Sequence, residues 1–452
     1  MKAAARPAPS PLRRSLGRRE LDRRWLDRRW LVALVALALA RSLVLALLVP
    51  PYQASDEPWH LDYARVVSEG TLPVMGGTAL DPEIVEHVRS AARSRQLEAR
   101  GIADGMSREA FQPPLGYALP GVAYRLAGGA EAGLFAFRAF DAVAGAAAAV
   151  AAFAFGRAAF PRASMAAPVA GLTAVGLPAM AVVSSTANND ATAVALALAA
   201  LAVTVGVARE GGSGARHVLL GTLIGLAALV RATGALLLVP AAVAVALGPR
   251  PRSGWWWSRG GPALVAAVFP VLAWAGRNAV LYDEPTGTGA FDQFATVPGN
   301  QLGGLALLVG ASPDHPGADP FWPELGRTAV GVLGWADTRL GSWAYALAGA
   351  ALVVAAVPVI RWFVGWGGAR ASMADRRATV VVAAAALAYL AGAVWYALTV
   401  DYQPQGRYLL PAVLAGAALV GAPLGRRGAA VALAVLGTLL VATVVTAART
   451  WA

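Results

Sequence analysis

Long runs of apolar residues recur along the chain, and most of them are long enough to cross a lipid bilayer. They cover residues 31–50, 133–156, 164–184, 190–208, 261–281, 342–363, 378–399, 407–423 and 428–447. A further stretch, 217–248, is too long for one straight crossing and is interrupted by Arg231 and Gly234. Two short crossings that meet at Arg231 fit this stretch better. The pattern therefore predicts about eleven transmembrane helices.

The stretch FQPPLGYALPGVAYRLAGG (111–129) is also apolar, but three prolines interrupt it. Counting it as a crossing would place most arginine-rich loops on the outer side, against the positive-inside rule. We therefore predict a helix that lies along the outer interface, within a long first external loop over residues 51–132. A second long external loop is predicted over residues 282–341, and connections of such length usually carry function.

The composition agrees with a membrane protein. Of the 452 residues, 57% are hydrophobic and 14% are charged, whereas soluble domains carry about 25% charged residues. We predict an all-α polytopic membrane protein. The absence of cysteine excludes disulfides and thiolate chemistry. No P-loop, dinucleotide fingerprint, HExxH or GxSxG sequence occurs, so ATP-driven transport and serine hydrolysis lack support.

The net charge of +12 comes almost entirely from arginine, because Lys2 is the only lysine. The arginines lie mainly in short loops and tails, as the positive-inside rule predicts, so nucleic acid is not a predicted partner. With eleven crossings these loops fall on the cytoplasmic side of the cell membrane. The predicted parts are a basic cytoplasmic tail (1–30), a transmembrane domain (31–423) and a C-terminal transmembrane helix (424–452).

Two adjacent carboxylates, Asp56 and Glu57, follow the first apolar run in QASDEPWHLDYA (53–64). Prolines on both sides end the first helix and hold the pair near the bilayer surface. One interpretation is a solvated helix end, and the other is a general base in a half-dry site. His60 either assists such a base or is a bystander.

The sequence STANND (185–190) places more polar residues on the predicted outer face. Asn189 and Asp190 either cap the following helix or face Asp56 across an outer cavity, where they would share a cation or bind a sugar. Within the neighbouring crossing, Arg138 and Asp141 are three residues apart and are predicted to form an ion pair.

Two arginines on the predicted outer face require a structural or functional explanation. Arg231 lies inside a broken apolar stretch, so it either reaches the outer headgroups or holds an anionic headgroup such as a phosphate. Arg407 follows Gln405 in DYQPQGRYLLP (401–411) and either binds a phosphate or pairs with Asp401.

In this order, the pieces resemble the GT-C superfamily of membrane glycosyltransferases, and most closely a poorly characterised bacterial branch of it. SDEPWHLDYARVVSEGTLP is similar to the acidic motif that opens the family's first external loop. FQPPLGY is similar to an HPPL-like segment, with Gln112 where histidine is frequent. The other matching pieces are FRAFDAVAGAAAAVAAFAFGRAAF, STANNDA, GLAALVRATGALLLVP and QGRYLLP.

The resemblance implies a fold with a GT-C-like transmembrane domain and an inverting transferase. The enzyme would move a sugar from a polyprenyl-phosphate donor to an acceptor hydroxyl on a lipid, a glycan or a protein. Asp56 or Glu57 would take the hydroxyl proton, and the leaving phosphate would be stabilised by two arginines, Arg231 and Arg407. The implied substrate contacts are His60, Gln112, Asn189, Asp190 and Gln405. A divalent cation, Mg²⁺ or Mn²⁺, held by Asp56 and Asp190 is compatible with the family but not required by it.

Two other classes stay open at this point. A transporter or flippase of a lipid-linked glycan would also need arginines, but it predicts ionisable residues near the bilayer midplane and related halves. Here the polar residues lie at outer helix ends and no repeat is evident. A non-catalytic membrane scaffold would explain the long loops but not the outward-facing arginines, and it would tolerate replacement of Asp56.

Overall fold

The structure is a computed structural model that describes residues 11–90, 107–249, 260–292, 320–365, 371–400 and 402–451, with side chains described from residue 26 onward apart from residues 291 and 292. In chain order the elements are α1 (Pro11–Leu48), α2 (Glu57–Ser68), α3 (Pro82–Ser90), α4 (Leu115–Ala127), α5 (Ala130–Ala159), α6 (Ala166–Gly176), α7 (Pro178–Val183), α8 (Asp190–Glu210), α9 (Gly214–Val230), α10 (Leu238–Leu247), α11 (Gly261–Tyr282), α12 (Thr288–Asp292), α13 (Phe321–Val330), β1 (Val332–Leu333), β2 (Thr338–Arg339), α14 (Ser342–Val364), α15 (Met373–Thr399), α16 (Leu410–Gly421) and α17 (Arg426–Trp451). Short 3₁₀ turns cover Glu109–Phe111, Ala232–Leu237 and Gly406–Leu409. The predicted all-α class is confirmed, since the strands in the described ranges form only one small hairpin.

Seven helices in the described ranges are long and apolar enough to cross a membrane: the Leu26–Leu48 part of α1, then α5, α8, α11, α14, α15 and α17. Each coincides with a predicted crossing, so the chain is a multi-pass membrane protein. Helix α1 itself begins at Pro11, inside the range predicted as a basic tail. Four shorter apolar segments, at 166–176, 214–230, 232–247 and 406–421, also match predicted crossings. The total of eleven crossings remains a prediction.

The interruption predicted at Arg231 is confirmed. Helix α9 ends at Val230, Arg231 is extended with φ −153° and ψ 134°, and a 3₁₀ turn then leads into α10. Gly234 makes this return possible, because a Cβ atom added there would lie 2.3 Å from the backbone carbon of Ala227. The chain therefore folds back tightly and presents Arg231 at a point where no regular helix covers it.

The interior of the bundle is built from small residues that let helices approach closely. Helix α5 packs against α1, α6 and α8, and a Cβ atom added at Gly156 would lie 2.7 Å from the carbonyl oxygen of Ala166. Arg41 of α1 is buried here and donates hydrogen bonds to the carbonyl oxygen of Ala174 and the hydroxyl of Ser184. These contacts fix the α6–α7 break, just before the STANND turn.

Elements of the two predicted external loops pack against each other. The helix predicted within residues 111–129 is present as α4, although its position along the membrane interface stays a prediction. Strands β1 and β2 pair antiparallel, with Val332 opposite Arg339. Trp335, in the hairpin turn, packs edge-on against Trp59 of α2, at a ring-centroid distance of 5.7 Å. The two predicted external loops are thereby joined next to the first acidic motif.

Candidate functional site

A cavity of about 670 Å³ lies between α2, the 109–111 turn, the return after α9, helices α11 and α15, and the 406–409 turn. Ligand sites in proteins commonly enclose about 300–1,000 Å³, so the space suits a small headgroup with part of a second substrate. The predicted site residues that line it are Asp56, His60, Gln112, Arg231, Gln405 and Arg407. Four segments that are distant in the sequence thus meet at one site, as the predicted outer-face cluster requires.

Asp56 stands directly before α2 in a left-handed backbone conformation, with φ 67° and ψ −1°. Such a conformation is unfavourable for a residue with a Cβ atom and is held by its surroundings. The hairpin supplies the hold: the backbone N–H and the hydroxyl of Ser55 both donate to the carbonyl oxygen of Gly334, at 3.2 and 3.3 Å. The Asp56 carboxylate is thereby directed towards the cavity, where it accepts a hydrogen bond from Nη2 of Arg407 at 2.6 Å.

Arg231 and Arg407 face the cavity side by side, and Asp190 stands behind both of them. Asp190 forms an ion pair with Arg231, and its other carboxylate oxygen lies 3.7 Å from Nη1 of Arg407. Asn189 accepts a hydrogen bond of 2.9 Å from Nη1 of Arg231. The ring of Tyr408 lies 5.0 and 5.6 Å from the two guanidinium carbons. Asp190 and Asn189 do not line the cavity, so they hold the arginines in position.

Glu57 follows a different course from Asp56, although the two are adjacent in the chain. Its side chain is fully buried away from the cavity and accepts two hydrogen bonds from Arg138, at 2.8 and 2.7 Å. The predicted pairing of Arg138 with Asp141 is therefore wrong. Asp141 accepts a hydrogen bond from the backbone N–H of Asn188 instead, at 3.0 Å, because the guanidinium reaches across to the turn after α1.

His60 and Gln112 contribute polar groups to the wall of the cavity. Nδ1 of His60 lies 2.8 Å from the hydroxyl of Tyr117, which also receives a hydrogen bond from Asn189. Burial lowers the pKa of His60 to about 4, so this ring is neutral at physiological pH. The side-chain oxygen of Gln112 is buried and has no hydrogen-bond partner among the described residues. Buried polar atoms are usually hydrogen-bonded, so this oxygen is an exception within the site.

Gln405 lies on the opposite wall, next to Arg407. Its side-chain N–H donates to Oε1 of Gln403 at 3.2 Å, while its own oxygen is buried without a hydrogen-bond partner in the described part of the chain. The alternative pairing of Arg407 with Asp401 concerns a residue outside the described ranges. Gln112 and Gln405 thus line the same cavity, and each keeps a buried amide oxygen without a hydrogen-bond partner among the described residues.

Sequence reasoning missed two acidic residues of the cavity, Glu109 and Glu324, and most of its aromatic walls. Glu109 lies in the 3₁₀ turn three residues before Gln112, and its position before the FQPPL segment was the available signal. Its pKa is raised to about 7, first by burial and then by the charge of Asp56, while Arg231 and Arg407 act in the opposite direction. The aromatic lining residues are Trp59, Phe111, Trp274, Trp335, Tyr389, Trp395, Tyr396, Tyr402 and Tyr408.

The space between the Asp56 and Asp190 carboxylates does not fit a divalent cation. The cationic guanidinium of Arg407 contacts both carboxylates, where a metal ion held by the pair would need to lie. The described residues contain no group of three histidine or acidic side chains with a suitable arrangement for a metal ion. What the arrangement does offer is a guanidinium pair for an anion, with a carboxylate beside it.

Comparison with known proteins agrees with the fold. A family model for the dolichyl-phosphate-mannose-protein mannosyltransferases matches residues 112–274, from the FQPPL segment to α11. No curated protein sequence matches the chain. Among solved structures, ArnT from Cupriavidus metallidurans bound to undecaprenyl phosphate is 18% identical, over 92% of this chain and 77% of that one, with a TM-score of 0.40.

The oligosaccharyltransferase of Archaeoglobus fulgidus is more similar in structure. Its apo form is 14% identical with a TM-score of 0.50, and its complex with an inhibitory peptide and a dolichol-phosphate is 13% identical with a TM-score of 0.51. In both comparisons 94% of this chain covers 56% of the other. The predicted resemblance to the GT-C superfamily is thus confirmed at the level of the fold, and this chain spans about half the length of the oligosaccharyltransferase.

Proposed function

We propose that this chain, which has the GT-C fold, is a membrane glycosyltransferase. It transfers a sugar from a polyprenyl-phosphate donor to an acceptor hydroxyl at the extracytoplasmic face of the cell membrane, with inversion at the anomeric carbon. The observation that carries the proposal is the pair Arg231 and Arg407, which lines one cavity beside the carboxylate of Asp56. The proteins matched in sequence or structure include sugar transferases that bind polyprenyl or dolichol phosphate.

The donor phosphate is proposed to bind between the two guanidinium groups. Arg407 has one carboxylate partner at 2.6 Å and a second at 3.7 Å, both on the protein. A phosphate that enters the cavity offers more oxygen acceptors than the Asp56 carboxylate does. It therefore replaces Asp56 as the partner of some of the Arg407 N–H groups. Donor binding then frees a carboxylate oxygen of Asp56 for the acceptor hydroxyl.

The lipid tail is proposed to leave the cavity between α11 and α15. The cavity walls on that side are apolar and include Leu236, Val271 and Ala393. Helix α11 is mostly exposed on the outside of the bundle. Only 11% of its most apolar 18-residue stretch is buried, as expected of a helix that contacts lipid. A prenyl chain can therefore run from the polar site into the bilayer without crossing charged residues.

The reaction follows from these positions. Asp56 takes the proton from the acceptor hydroxyl while the acceptor oxygen forms a bond to the anomeric carbon. The bond between that carbon and the phosphate oxygen breaks, and its electron pair stays on the phosphate. Arg231 and Arg407 stabilise the negative charge that develops on the phosphate. Glu57 is assigned to holding the turn, since its carboxylate faces Arg138 and not the cavity.

The experiment uses protein in nanodiscs with a panel of radiolabelled polyprenyl-phosphate sugars, and it scores donor binding and turnover separately. We expect Asp56→Asn to retain donor binding and to lose about 100-fold or more in turnover, the usual contribution of a general base. Glu69→Gln is the matched control, because Glu69 is an exposed carboxylate at the end of the same helix. If no donor binds to wild type, or if Asp56→Asn turns over normally, a lipid-linked glycan transporter or a scaffold becomes the better account.

A further inference from the structure

The proton that Asp56 receives has to leave the cavity before the next turnover, and most neighbouring groups cannot take it. Arg231 and Arg407 are already fully protonated at any relevant pH. Nδ1 of His60 is engaged by Tyr117, and burial keeps the pKa of that ring at about 4. Among the side chains that line the cavity, a second carboxylate is the best suited acceptor.

Two other carboxylates line the cavity, and they differ in their engagement. Glu324 pairs with Arg327 at 2.7 Å and with Arg339 at 3.3 Å, so its charge is compensated. Glu109 forms no ion pair and no side-chain hydrogen bond with the described residues, and it is half-buried. It is the one cavity carboxylate in the described part of the chain that is both exposed to the space and uncompensated by a direct contact.

The turn that carries Glu109 is held firmly by the outer end of α11. Nε1 of Trp274 donates to the carbonyl oxygen of Phe111 at 2.8 Å, and Nη1 of Arg277 reaches that of Ala110 at 3.4 Å. Asn278 adds a further hydrogen bond to the Phe111 oxygen, at 3.4 Å. The backbone below Glu109 is therefore fixed, and its carboxyl group projects from an anchored position into the cavity.

We propose that Glu109 is the proton relay of this site: it accepts the proton from Asp56 after each transfer and releases it to water. The relay rests on the proposed function. In the first step, the O–H bond of protonated Asp56 breaks and, by way of water in the shared cavity, a new O–H bond forms on the Glu109 carboxylate. In the second, that proton passes to a water molecule, so both carboxylates return to their starting state and no other reactant is needed.

The electrostatic surroundings of Glu109 suit this role. Burial is the largest cause of its raised pKa of about 7, and the charges of Asp56 and Asp190 add to it, whereas Arg231 and Arg407 oppose it. An acid with a pKa near the working pH can both gain and lose a proton readily. Because Glu109 has to be ionised to accept, turnover is expected to rise as the pH increases through about 7.

The experiment measures turnover against pH for wild type, Glu109→Gln and Glu109→Asp in nanodiscs, with donor binding as the check on folding. For Glu109→Gln we expect normal donor binding, turnover lowered about 10- to 100-fold, and loss of the step near pH 7. Added imidazole should restore part of this turnover, since a small buffer can carry the proton, and Glu109→Asp should keep a pH-dependent step. Glu69→Gln serves again as the control and should match wild type.

The possible failures are separable. If wild type turns over but Glu109→Gln keeps the same pH profile, the relay is wrong and the transferase stands. If Glu109→Gln lowers turnover equally at every pH and imidazole restores none of it, the residue has a structural or substrate-binding role, which also overturns the relay. If wild type transfers no sugar from any donor, the proposed function fails and the relay fails with it.

Discussion

Two arginine–carboxylate clusters are built on the adjacent residues Asp56 and Glu57. They differ in how many of their polar atoms already have hydrogen-bond partners. In the first, Glu57 and Arg138 are both fully buried. Arg138 uses all five of its N–H donors, two on Glu57 and three on the carbonyl oxygens of Ala46, Val49 and Pro50. Glu57 also accepts the backbone N–H of Ala187 at 3.0 Å. Nothing in this cluster is left for a ligand.

The second cluster is open. Asp56 and Arg407 retain 25% and 18% of their side-chain exposure, and the contact from Arg407 to Asp190 is long, at 3.7 Å. These groups face a cavity, so an incoming anion can compete for the guanidinium groups. Neighbouring carboxylates in one sequence motif thus take different roles, because one is saturated by the fold and the other is not.

Breaking the closed cluster should have the largest effect of all. Arg138→Ala leaves the Glu57 charge buried without its partner, and we expect a loss of about 3–5 kcal/mol in stability, enough to prevent recovery of folded protein. Thermal unfolding and size-exclusion profiles in detergent would measure this. Glu69→Gln removes the exposed Arg65–Glu69 pair and should cost less than about 1 kcal/mol. A folded Arg138→Ala protein with wild-type stability would contradict the structural role of this cluster.

The contrast also shows what the sequence could and could not reveal. Apolar periodicity located the helices, and the interruption at Arg231 was visible because a charge and a glycine break a run of apolar residues. The partner of Arg138 was not visible. Spacing along a helix favoured Asp141, but the long side chain reaches a turn that only tertiary packing brings near.

The place of Glu109 in the cavity could not be predicted from the sequence, for a related reason. A single acidic residue in a predicted external loop is typical of a solvated side chain, and its neighbours give no periodic signal. Only the anchoring of its turn by Trp274 and Arg277, residues more than 160 positions away, places it in the cavity. By contrast Asp56, Arg231 and Arg407 each broke a local pattern, so sequence reasoning found them.

Removing the Arg407 guanidinium group from the second cluster should affect donor binding and turnover more than folding. Arg407→Gln removes one of the two guanidinium groups and leaves Asp56 facing a cavity instead of a dry interior. We expect folded protein with turnover lowered about 100- to 1,000-fold, the usual cost of losing a donor that stabilises a developing anion. Arg216→Gln is the matched control, because Arg216 is a half-exposed arginine that pairs with the exposed Glu210 and does not line the cavity. Equal donor binding and turnover in the two variants would remove Arg407 from the phosphate site.

The smallest of these effects should come from Asp190, which stands behind the arginines. Asp190→Asn keeps an oxygen that can accept from Arg231 but loses the charge that attracts Arg407. We expect turnover to fall about tenfold, as for a group that orients another, while donor affinity changes by less than about threefold. Two effects on affinity oppose each other: the arginines are less well placed, but a negative charge that competes with phosphate is gone. Measuring donor affinity and turnover separately tests this, with Asp190→Ala as a companion that also removes the hydrogen bond and should turn over more slowly than Asp190→Asn. If Asp190→Asn instead abolishes donor binding, Asp190 contacts the donor itself and the distinction between lining and supporting residues does not hold at this position.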